Sequence, residues 1–84
     1  MYRIVTYPDA EEQIAALPDV ALGGYAEALG VMGLVPWNGR PYNEDEPDGL
    51  MRQLTFGPAG AGFVIYLILE NQQRVDVLRV VWAG

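Results

Sequence analysis

Chemistry in this chain has to come from a narrow set of side chains. Five arginines, eleven carboxylates and five tyrosines carry nearly all its reactive polar groups, and histidine, cysteine and lysine are absent. Those absences exclude the usual neutral-pH base, cysteine and histidine zinc sites, Ser–His and Cys–His pairs, Schiff bases and a P-loop lysine. No metal or cofactor is expected. What remains is guanidinium chemistry, which suits phosphate and carboxylate.

Arg52 lies on a strand face with Leu50, Leu54 and Phe56. Its head either holds a phosphate or carboxylate ligand, or snorkels to water, or pairs with Glu70 or Asp76. Arg79 sits among the valines of the last strand, and Arg74 at that strand's start. If Arg52 and Arg79 reach one open face they form a positive centre over which Arg40 closes. The alternative is a set of separate surface guanidiniums. Tyr66 and Trp82 are core aromatics first, and a tyrosine at a sheet edge is a second-choice acid or base. Trp37 and Tyr42 either stack on a base, dock a partner or cap the core. The run Glu44 to Asp48 lacks an EF-hand pattern, and Gly57 to Gly62 is a turn between strands, not a phosphate loop.

The elements that must position these groups follow from periodicity. Met1 to Tyr7 carries β-branched and aromatic residues in a short run, as in a strand. Pro8 begins a first helix with acids in its first turn, and Pro18 ends it. Asp19 caps a second helix over about Val20 to Leu34, with Leu22, Ala26, Leu29 and Gly33 on one face, extended by Tyr25 and Met32. Trp37 to Gly49 is a polar loop with several turn signals. Leu50 to Phe56, Phe63 to Leu69 and Arg74 to Trp82 are strands. In the last, Val75, Val77, Arg79 and Val81 face away from Asp76, Leu78, Val80 and Trp82. The order β-α-α-β-β-β predicts an α+β fold, an antiparallel sheet packed against two N-terminal helices.

The 84 residues have room for one domain, spanning 1–84. Half of them are apolar, so the chain is globular. No signal peptide or membrane-length run is present, and a cytoplasmic protein is the expectation. A net charge of −6 argues against unassisted nucleic-acid binding and favours a basic partner, although a local arginine cluster can override it.

The segments Tyr2-Arg3-Ile4-Val5, Pro8-Asp9-Ala10-Glu11-Glu12-Gln13 and Leu17-Pro18 resemble the opening of the RelE/ParE toxin superfamily of type II toxin–antitoxin systems. So do Pro36, Arg52-Gln53-Leu54, Val64-Ile65-Tyr66-Leu67-Ile68 and Val75-Asp76-Val77-Leu78-Arg79-Val80 downstream. The resemblance implies a toxin-family protein, a helical pair against a sheet, and a cognate antitoxin laid over the sheet as partner. Two function classes follow from it. In the first, the chain is a ribosome-dependent mRNA endonuclease that inhibits translation, with Arg52 and Arg79 as the catalytic cations on the mRNA phosphate. Arg40, Trp37, Tyr42, Tyr66 and Trp82 are then partner- or RNA-binding. In the second, it is a non-enzymatic interaction protein, either directed at DNA gyrase or a degenerate toxin homologue. The missing base and the negative charge favour the second on physical grounds.

Overall fold

A computed structural model describes residues Met1–Gly84. Strand β1 (Arg3–Thr6) leads into helices α1 (Pro8–Ala15) and α2 (Asp19–Leu34), followed by β2 (Arg40–Pro41), β3 (Met51–Phe56), β4 (Gly62–Leu69) and β5 (Arg74–Trp82). The five strands form one sheet in the order β1-β5-β4-β3-β2. The expected α+β architecture is present, with β3, β4 and β5 as an antiparallel meander. Strand β1 joins in parallel to β5, which makes the sheet mixed. The α1–α2 crossover permits this, since a parallel pairing needs a long connection. The two-residue β2, from inside the polar loop, is added on the far edge.

Helix α1 starts at Pro8 with Asp9 and Glu11 in its first turn, where the helix dipole favours acids. Helix α2 starts one residue earlier than its sequence suggests, with Pro18 in the capping position and Asp19 in the first turn. Its buried residues are Ala21, Tyr25, Ala28, Met32 and Gly33. The expected face holds for Tyr25, Met32 and Gly33, which are buried, and for Leu29, which packs on the core, but not for Leu22, which is 46% exposed, or for Ala26, which is exposed too. An almost uniformly apolar helix gives no amphipathic signal to choose a side. Close contact makes the choice, because a Cβ on Gly24 would lie 2.6 Å from the Gly57 backbone nitrogen.

The core lies between the helices and the inner sheet face. Val64, Tyr66 and Ile68 of β4 and Val75, Val77 and Val80 of β5 are buried there. Phe56 stacks on Trp82 and meets Tyr25 edge-on.

One irregularity sets the direction of every side chain near the end of β5. Tyr66 pairs with Val77 but Ile65 pairs with Arg79, leaving Leu78 as an extra residue. This bulge switches the inward positions from Val75 and Val77 to Val80 and Trp82. Strict alternation, which puts Val75, Val77, Arg79 and Val81 together, fails at this point. Beyond the short β1, the Val80 N–H donates to Gln13 Oε1 at 2.6 Å, so α1 satisfies an edge group that β1 does not reach.

Candidate functional site

The outer face of the sheet can be followed strand by strand through the register. Arg40 is opposite Gln53, Gln53 opposite Ile65, and Ile65 opposite Arg79. These four residues form one row across the sheet with an arginine at each end. Three strand spacings separate the ends, about 14 Å. In a neighbouring row Met51, Leu67, Asp76 and Val5 are in register. Tyr42 adjoins Met51, to whose carbonyl it donates its backbone N–H at 2.9 Å. A third row brings Leu69, Arg74 and Arg3 together. Four of the five arginines thus belong to the outer face, in a chain whose net charge is −6.

The cations on this face are not equivalent. Arg74 is neutralised by Asp76, with Nε to Oδ1 at 2.8 Å and Nη2 to Oδ2 at 3.2 Å. Asp76 is only 2% exposed, and it also accepts the Tyr7 hydroxyl at 3.0 Å. That bond, reinforced by the carboxylate's charge, raises the Tyr7 pKa and keeps the phenol protonated. Arg3, Arg40 and Arg79 are exposed and form no salt bridge. Arg79 and Tyr42 line one cleft of about 460 Å³ whose walls include Asp9 and Gln13 of α1 and whose apolar lining is Met51, Ile65 and Leu78. The cleft offers a cation for an anionic group, an aromatic surface and one carboxylate.

Arg52 stands on the other side of the sheet, because its cross-strand partner is the buried Tyr66. Its guanidinium donates to the Gly39 carbonyl from Nε (3.1 Å) and Nη2 (2.8 Å), and to the Trp37 carbonyl at 3.3 Å. Nη1 donates to the carbonyls of Pro47 and Gly49 at 2.9 and 3.2 Å. The Trp37 ring packs 5.3 Å from the guanidinium carbon. Arg52 is thus a clamp joining both ends of the polar loop. It pairs with neither Glu70 nor Asp76, its head does not snorkel to water, and it does not converge with Arg79 on one face.

Three of the five aromatic and arginine candidates for binding also fall outside the outer face. Tyr66 is fully buried and donates to the Pro36 carbonyl at 2.6 Å. Burial pushes its phenol up to about 12. Trp82 is half-buried and packs under Gly57 and Gly84. The indole of Trp37 donates to Glu70, which also accepts from Tyr2 and Gln73. Led by the Trp37 bond, these donors hold the Glu70 carboxyl below its usual pKa. Arg40 and Tyr42 do share the outer face with Arg79. Residue typing missed Asp9 and Gln13, since one helical acid and one helical amide carry no signal of their own.

These elements define a RelE-like α+β fold with an arginine-bearing outer sheet face. No protein-family model matches the chain, and no curated protein matches it in sequence. Among solved structures it is similar to the isolated E. coli RelE toxin, with a TM-score of 0.80 at 12% identity, over all of this chain and 86% of that one. It is similar to a chain of the intact E. coli RelBE toxin–antitoxin complex, with a TM-score of 0.79 at 13% identity, over all of this chain and 99% of that one. The archaeal RelE–RelB complex from Pyrococcus horikoshii matches with a TM-score of 0.64 at 15% identity, over 99% of this chain and 96% of that one. At such identities the likeness is one of fold. No helix is long and apolar enough to cross a membrane.

Proposed function

We propose that this chain is the toxin component of a toxin–antitoxin pair and that its outer sheet face binds an anionic macromolecule. The observation that carries this reading is the row Arg40–Gln53–Ile65–Arg79, with Tyr42 beside it. Concentrating exposed guanidiniums in a chain of net charge −6 costs electrostatic self-compensation and gains an attractive field on one surface only. One structure that shares the fold is the RelBE toxin–antitoxin complex and another the archaeal RelE–RelB complex, and this supports an antitoxin partner for this chain.

Binding is better supported than cleavage. Arg79 and Arg40 supply cations for phosphate, and Tyr42 a ring for stacking. A second reading, ribosome-dependent mRNA cleavage, draws on Asp9 in the cleft of Arg79. There the Asp9 carboxylate would take the 2′-hydroxyl proton as that oxygen attacks phosphorus, Arg79 would stabilise the charge on the phosphorane, and the 5′-oxygen would leave with a proton from water, giving a 2′,3′-cyclic phosphate and a 5′-hydroxyl end.

Expression without any antitoxin tests both. Growth arrest that Arg79→Ala and Arg40→Ala relieve supports the toxin reading, and unimpaired growth removes it. Cut transcripts that become intact in Asp9→Asn assign cleavage. Arrest with intact transcripts assigns binding alone, and trapped DNA–gyrase complexes would then name the target.

A further inference from the structure

Helix α2 presents to solvent a face that its own fold does not explain. Val20 is 64% exposed, Leu22 46% and Leu34 63%. Helical geometry places them in one sector with Gly23, Ala26 and Gly30, all exposed. A Cβ on Gly23 or Gly30 would meet nothing within 4 Å. Neither glycine is needed for packing inside the chain, as Gly24 is, yet each weakens the helix. A helix with only two charged positions, Asp19 and Glu27, is normally more fully buried than this.

Charge selects the occupant. Residues 8–34, which comprise α1, α2 and the link between them, contain five acids and no basic residue. The exposed sector of α2 holds two of those acids, Asp19 and Glu27. The last turn of α2 has no cation to offset its carbonyl end. A second copy meeting this face would set Glu27 and its acidic surroundings against their like. A helix with an apolar stripe and flanking lysines or arginines would neutralise them.

We propose that the outer face of α2 is a docking surface for a cationic amphipathic helix of a partner protein, laid along Leu22, Ala26 and Leu34 with its cations against Glu27 and Asp19. The absent side chains at Gly23 and Gly30 let the partner backbone approach closely. This is the helix-in-groove mode of recognition. It is a second interface on the opposite side of the molecule from the arginine face, and it does not rest on the function proposed for that face.

The test uses the full chain and two helical peptides of about 18 residues, long enough to form several turns. One is a leucine–lysine sequence with leucine at i, i+3, i+4 and i+7, and the other is its leucine–glutamate counterpart. Amide chemical shifts of the isotope-labelled protein are followed during titration. The lysine peptide is expected to shift amides of α2 around Gly23, Ala26 and Gly30. Leu22→Asp/Leu34→Asp should weaken it at least tenfold, and Glu27→Lys, which keeps the apolar surface, at least threefold. All three substituted residues are exposed, and an unchanged thermal unfolding curve confirms that the variants fold. The inference is overturned if the lysine peptide leaves α2 unshifted, if it perturbs only the Glu44–Asp48 loop or the sheet, or if both peptides bind alike. Concentration-dependent dimerisation in analytical ultracentrifugation that Leu22→Asp abolishes would also overturn it, by making a second copy the occupant.

Discussion

Arg52 and Arg79 are the same residue type on neighbouring parts of one sheet, yet they do opposite work. Arg52 faces inward and gives its donors to the carbonyls of Trp37, Gly39, Pro47 and Gly49. Arg79 faces outward, exposed and without a salt-bridge partner. On the inner face charge fixes the chain, and on the outer face Arg3, Arg40 and Arg79 are left without a carboxylate partner. The difference teaches that a guanidinium's role is set by the acceptors within reach. A buried cation surrounded by backbone oxygens is structural, however suggestive its position in the sequence.

The strongest way to break the comparison is Arg52→Ala. It leaves several loop carbonyls without a donor, and we expect a loss of about 3 kcal/mol. For a chain of this size that lowers the melting temperature by roughly 10–20 °C, measurable by circular dichroism. Stability unchanged in Arg52→Ala would mean that the clamp is ornamental and the two arginines are alike. A pH titration examines the same face. Tyr66 and Tyr25 are each pushed up to about 12 by burial, against about 10 when unfolded. Their folded pKa values are raised, so this contribution is complete below pH 10 and is lost as pH rises towards 12. Alkaline unfolding and tyrosinate absorbance should therefore rise together in that window. Tyrosinate absorbance fully developed at pH 10 in the folded chain would contradict the buried placement.

The outer face responds on a smaller scale. Asp76→Asn removes the partner of Arg74 and weakens the contact to Tyr7, for an expected loss of about 1.5 kcal/mol in urea unfolding. It also frees one cation, so binding to a polyanion such as heparin should tighten. Weaker retention on heparin would show that Asp76 orders the face rather than neutralising it. Arg79→Ala should change stability by less than about 0.5 kcal/mol, as exposed substitutions do. Its effect belongs to heparin retention, which should fall.

Much of the fold was legible in the sequence. Prolines 8, 18 and 36, the acids of the first turn of α1 and the alternation of β3 mark elements that the structure contains. The site was legible only in part. Arg40, Tyr42 and Arg79 do share a face, but strict alternation put Arg79 with Val75 and Val77 because a bulge leaves no mark in a run of valines. Arg52 was misleading for a related reason. Its partners are main-chain carbonyls from a loop, and backbone acceptors have no sequence signature. Helix α2 hid its buried side because nearly every position is apolar, so burial followed the close approach of Gly24 to Gly57 rather than any pattern.

The one substitution expected to stabilise lies in the core beneath the inner face. Tyr25 is 5% exposed, and its hydroxyl is a buried polar group without a hydrogen-bond partner. Every other hydroxyl among the tyrosines that support the sheet has an acceptor: Tyr66 uses Pro36, Tyr2 uses Glu70 and Tyr7 uses Asp76. Desolvating an unpaired hydroxyl costs free energy that folding does not recover. Tyr25→Phe keeps the ring, and with it the edge-on contact to Phe56 at 5.4 Å between centroids, while removing the desolvated oxygen. We expect a gain of about 0.5–1 kcal/mol in urea unfolding and the loss of one of the two high-pH tyrosine titrations. A destabilised Tyr25→Phe would instead mean that the hydroxyl has a hydrogen-bond partner in solution, such as an ordered water.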